Sequence, residues 1–103
     1  MSVQTLISAT TGGATSSNDG FFVRDNEAVS VCTTAALGSS ETVDIYYSPD
    51  DGATWLQYYY DGVAVQLTST QSAVRLYGPM LFQVVLSATA SSTGVNLIRN
   101  QLP

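Results

Sequence analysis

Apolar residues in this chain never recur at positions i, i+3, i+4 and i+7 for the length of a helix. They alternate instead, in short runs closed by turn residues. That pattern points to antiparallel β-structure. Val43, Ile45 and Tyr47 alternate with Asp44 and Tyr46; Val29, Val31 and Thr33 alternate with Ala28, Ser30, Cys32 and Thr34. Val63, Val65 and Leu67 alternate with Ala64 and Gln66, and Val74 and Leu76 share one side of residues 73–77. Residues 21–24 and 95–98 are further strand candidates. Residues 80–86, interrupted only by Gln83, form the longest apolar run and predict a central strand. The breakers between runs are Asp25-Asn26, Gly38-Ser39-Ser40, Asp61-Gly62, residues 69–72, Gly78-Pro79 and Gly94. The expected fold is all-β, an antiparallel β-sandwich or jelly roll of about seven to eight strands.

The densest turn signal is Ser48-Pro49-Asp50-Asp51-Gly52-Ala53-Thr54-Trp55. It lies between two strand-like runs and predicts a β-hairpin. Pro49 pre-sets φ, the aspartates bond backbone amides, and Gly52 takes a positive φ without a Cβ clash. Ser48, Asp50, Gly52, Thr54 and Trp55 resemble the Asp-box pattern S-x-D-x-G-x-T-W of sialidases and other secreted β-proteins. The resemblance implies a structural hairpin with the Asp outside and the Trp packed inward, which makes Trp55 the expected core anchor. It does not imply sialidase activity. Those enzymes carry several copies on a propeller, and one copy in 103 residues cannot build four blades.

A chain of 103 residues is one domain by length. Within it, residues 1–20 are expected as a flexible N-terminal arm and loop, and residues 21–103 as the β-sandwich domain. Residues 3–9 read as an edge strand or an arm, and residues 10–20 contain no large apolar side chain. On the arm reading, deleting Met1 to Asp19 leaves the fold intact. Residues 100–103 read as a short polar tail.

Only 11% of residues are charged, less than half of the ~25% usual in soluble domains. The net charge is -5, with no Lys and no His. Arg24, Arg75 and Arg99 are scattered, which argues against phosphate neutralisation and hence against nucleic acid as a partner. No apolar run reaches the ~20 residues of a membrane-spanning helix, and no signal peptide is expected. Cys32 is alone, so no intramolecular disulfide forms; it is expected to pack as a small hydrophobe.

Catalysis finds little to work with. A Ser-His-Asp or Cys-His site needs a histidine. Glu27 and Glu41, the only glutamates, flank loops rather than sit as paired carboxyls. Asp50-Asp51, with Asp44 or Asp61, lacks EF-hand spacing and reads as a solvated turn. No enzyme, cofactor or metal is therefore expected. Tyr46, Tyr58 and Tyr60 fall on one parity around the hairpin, and Tyr47 and Tyr59 on the other. With scarce charge and exposed aromatics, Tyr46, Tyr58, Tyr60, Val3, Leu6 and Ile7 are the candidate interface.

Beyond the hairpin, the order of "Gly-Phe-Phe-Val", "Ala-Val-Ser-Val", "Glu-Thr-Val-Asp-Ile", the hairpin, "Val-Gln-Leu-Thr" and the strand after Gly78-Pro79 resembles another group. It is similar to small β-sandwich proteins encoded among tailed-bacteriophage virion genes, some of which decorate or cement the capsid. The resemblance implies a structural virion protein on the capsid surface, made in the host cytoplasm. It would bind the major capsid protein lattice as a small homo-oligomer, a dimer or trimer. The alternative reading is a carbohydrate-binding β-sandwich module of a phage fibre or secreted protein.

Overall fold

The computed structural model describes residues 2–16, 20–25 and 27–99. The protein is all-β. Its strands are β1 (Ser2–Thr10), β2 (Ala14–Thr15), β3 (Phe21–Val23), β4 (Ala28–Thr33), β5 (Val43–Ser48), β6 (Leu56–Gln57), β7 (Tyr59–Tyr60), β8 (Val63–Ala64), β9 (Gln66–Leu67), β10 (Ala73–Tyr77), β11 (Met80–Leu86) and β12 (Thr93–Arg99). The count of twelve exceeds the expected seven to eight because edge runs break into pieces of two or three residues. Asn26 of the expected Asp25-Asn26 turn, and the polar tail at 100–103, lie outside the described residues.

Two antiparallel sheets face one another. The first has the order β1-β12-β4-β10. In the second, β11 and β5 run side by side through the middle. β2 and β3 share the far edge of β11, and β6 and β9 share the far edge of β5. Val29, Val31, Val74, Leu76, Val95 and Leu97 from the first sheet meet Val43, Ile45, Leu67, Phe82, Val84 and Leu86 from the second in one buried cluster. Residues of alternating burial, such as 73–77, thus place one parity inside, as period-two patterning demands.

Phe82 is fully buried and takes the place expected of Trp55. Its ring lies 6.0 Å from Phe21 and 5.2 Å edge-on from Tyr58. Trp55 is only half-buried. It stands where a Cβ on Gly20 would come within 2.6 Å of its Cη2, so it covers the Gly20 backbone rather than filling the core. The reason is placement: Trp55 precedes β6 and sits in the connection, outside the inward register of the sheet.

Of the two readings of residues 3–9, the structure has the edge strand and not the arm. β1 pairs with β12 from Ser2↔Arg99 to Thr10↔Thr93, with register shifts on either side of Ile7. Ile7 is buried in the core, and Leu6 packs against it. β2 pairs with β11, and Ser16 N donates to Val84 O at 2.9 Å while its Oγ accepts from Val84 N at 3.0 Å. Residues 2–16 are thus part of the sandwich, held by backbone ladders that the polar side chains of this stretch do not announce.

A tyrosine-lined groove beside a free sheet edge

Between β6 and β9 the chain leaves the second sheet as a small hairpin of its own. Tyr58 N donates to Ile45 O at 2.9 Å, and Val65 N donates to Tyr58 O at 2.9 Å. Tyr58 therefore ends the strand on β5 and begins the hairpin. Tyr59 then pairs with Ala64, and Tyr60 with Val63. Asp61 and Gly62, at φ 55° and 81°, make the tight turn expected of an Asp-Gly pair. The hairpin carries Tyr59 at 57%, Tyr60 at 68% and Val63 at 68% exposure. Tyr77 of β10 is 57% exposed as well, so four large apolar side chains at this end meet solvent.

The hairpin and β10 enclose a groove of about 370 Å³, lined by Tyr58, Tyr60, Val65, Gln71, Arg75 and Tyr77 among others. A smaller hollow of about 210 Å³ adjoins it, sharing Tyr60, Val65 and Gln71. The floor is apolar and aromatic; the polar groups are the Gln71 amide, the Arg75 guanidinium and the tyrosine hydroxyls.

Of the candidate interface residues, Tyr58 and Tyr60 are brought together in the groove, and Tyr46, Val3, Leu6 and Ile7 are not. Tyr60 is exposed on the hairpin. Val3 is 60% exposed, but β1 lies at the opposite edge of the first sheet from β10. Ile7 is buried and Leu6 packs on the core, so these two do not offer a free surface, whereas Tyr58 packs on the core and also lines the groove. Tyr46 is half-buried on the outer side of the second sheet, opposite Gln57 and Gln83. The parity argument failed because paired residues across this hairpin carry numbers of opposite parity, Tyr46 with Gln57 and Tyr47 with Leu56. Tyr47 and Tyr58 consequently share the inner face, with ring centroids 6.0 Å apart. Sequence reading missed Tyr59, Val63, Gln71, Arg75 and Tyr77. For Arg75 and Tyr77 the signal was available: they hold the parity opposite to Val74 and Leu76.

The Asp-box-like turn is built as a structural hairpin. Gly52 N donates to Ser48 Oγ at 2.7 Å, Ser48 Oγ donates to Asp50 Oδ1 at 3.0 Å, and Thr54 N donates to the same Oδ1 at 2.7 Å. Gly52 has φ 94°, as its turn position predicts. Bonds from Thr54, its side chain foremost, hold the Asp50 carboxyl below the ordinary aspartate value, against a smaller opposing effect of desolvation. The glutamates are clamps too. Glu27 Oε1 accepts from Arg24 N and from Arg99 Nη1, each at 2.8 Å. Glu41 accepts from Gly38 N at 2.8 Å and from Ala90 N at 2.9 Å. The backbone bond from Arg24 in the one case and from Gly38 in the other is the main cause that lowers each pKa. Cys32 is half-buried on the outer side of the first sheet, between Ala73 and Asn96, rather than in the core. Among the described residues, no group of three or more Cys, Asp or Glu side chains is arranged to hold a metal ion.

No protein-family model, curated protein or solved structure matches the chain.

Proposed function

We propose that this protein is a non-enzymatic structural component of a virion, which attaches to the capsid lattice through the face built by the β7–β8 hairpin and β10. The observation that carries the reading is the concentration of Tyr59, Tyr60, Val63 and Tyr77 at one end of a chain with few charges. Interface cores are enriched in tyrosine and depleted in Lys, Glu and Asp. The capsid as partner rests on the order of strands and turns, which resembles small phage decoration proteins. Repeated equivalent sites on a lattice compensate for a small area per copy, because avidity multiplies modest contacts. Residues 2–16 are committed to the sandwich and are not free to reach a partner as an arm.

A second reading has its own observation. Tyr60 and Tyr77 stand exposed beside Gln71 and Arg75, the arrangement of an aromatic platform with polar side chains that suits a sugar. Two measurements separate the readings. Co-sedimentation with purified capsids should retain the wild-type protein and lose a Tyr60→Ala/Tyr77→Ala variant. Binding to a glycan array, with none to capsids, would replace the structural reading by the carbohydrate one.

A further inference from the structure

The backbone of β10 adds something the side chains alone do not show. β10 ends the first sheet, and among the described residues β4 is the strand it pairs with. The phase of that ladder is fixed at both ends. Thr33 N donates to Ser72 O at 3.1 Å, and Gly78 N donates to Glu27 O at 3.2 Å. Bonded and non-bonded pairs alternate in an antiparallel ladder. With the register Ala73↔Cys32 to Tyr77↔Ala28 between those bonds, Val74 and Leu76 turn their N–H and C=O groups toward β4. Ala73, Arg75 and Tyr77 turn theirs away from the sheet, on the side where the groove opens. A row of outward backbone donors and acceptors is a template for another strand.

We infer that the free edge of β10 takes up an extended, acidic segment of a partner protein by strand addition, the segment lying in the groove between β10 and the tyrosine hairpin. This rests on the docking reading above and specifies what docks. An added strand would share the pleat of β10. Alternate side chains would lie over Val74 and Val65, with Tyr58 and Tyr60 as a wall; the others would lie beside Arg75 and Tyr77. The charge decides the occupant. Arg75 is the cation lining the groove, while Arg99 is engaged with Glu27 at 2.8 Å. An acidic side chain opposite Arg75 is favoured there, whereas a second copy paired antiparallel through the same edge and centred on Arg75 would set two guanidinium groups against each other.

The test uses the full chain and an array of ten-residue peptides of three designs: alternating apolar and acidic, alternating apolar and basic, and scrambled acidic. The wild type should bind the alternating acidic peptides at least ten-fold more tightly than the other two. Arg75→Glu should reverse the preference toward the basic series. Ala73→Pro, which removes an outward N–H and no bond to β4, should weaken binding to every peptide while the thermal midpoint holds. Equal binding of all three designs, no reversal by Arg75→Glu, or a concentration-dependent dimer that Arg75→Glu abolishes would each overturn the inference. Capsid co-sedimentation separates the two levels. Capsid binding that survives both substitutions keeps the docking reading and sinks strand addition. Absence of the wild-type protein from capsids, with the peptide preference intact, sinks the capsid reading alone.

Discussion

Asp50 and Ser48 close a turn that backbone bonds alone would leave open. Ser48 is buried, and its Oγ serves Gly52 N as acceptor and Asp50 Oδ1 as donor. Ser48→Ala leaves the Gly52 amide without that acceptor and should cost about 1–2 kcal/mol in denaturant unfolding. Gly52→Val places a β-branched side chain at φ 94° and should cost more than ~1 kcal/mol. The pH dependence follows from the carboxylates. Glu27, Glu41 and Asp50 all have folded values below their ordinary 4.5, 4.5 and 3.8. Their stabilisation is fully present above those ordinary values and is lost as pH falls through the lowered folded ones. The thermal midpoint should therefore be flat from neutral pH to about 5 and drop below about 4. Glu41→Gln should soften that drop; an unchanged acid limb would mean that the Gly38 and Ala90 bonds do not favour the charged form. This turn was legible in the sequence because most of its bonds are made by side chains at fixed spacings. The place of Trp55 was not, because spacing within the loop does not say which layer the ring will cover.

Among the elements, β11 was the most legible, and it contributes Phe82, Val84 and Leu86 to the core. Phe82→Ala should cost ~3–5 kcal/mol, as large aromatic truncations in cores do. Trp55→Ala, at a half-buried ring, should cost roughly 1–2 kcal/mol. Urea midpoints of the two variants measure the contrast, and a larger loss at Trp55 would restore it as the anchor. β1 was the least legible element. Its Thr, Ser and Gln side chains carry a weak apolar signal, and its hold on β12 is largely through main-chain groups. Deleting residues 1–10 removes buried Ile7 and strips β12 of a neighbour, so the truncated chain should lose its sharp thermal transition. A truncated protein that melts like the wild type would return this segment to the status of an arm. The edges of the second sheet were only half legible: the runs at 56–60 and 63–67 were visible, but not that the chain would leave the sheet at Tyr58 and rejoin it at Gln66.

At the scale of the whole molecule, stability and attachment are housed in different places. The radius of gyration is 13.0 Å, the value of about 13 Å for a compact chain of this length. The hairpin is an appendage to the sandwich. Tyr59, Tyr60, Asp61, Gly62 and Val63 are exposed, and Val65 N already bonds Tyr58 O across its base. That base pair allows the hairpin to be shortened without breaking the sheet. Replacing residues 59–64 by Asn-Gly closes the chain directly between Tyr58 and Val65, with a two-residue turn suited to the strand twist. Because the removed residues are mostly solvent-exposed, unfolding free energy should change by no more than about 1 kcal/mol. The groove loses its outer wall, and capsid attachment should fall at least ten-fold. Attachment of the intact protein should also weaken only mildly between low and moderate salt, since a single guanidinium lines the groove and few charges remain to be screened. Retained attachment by the shortened chain would move the docking face elsewhere, and a steep loss with salt would replace an aromatic contact by an ionic one.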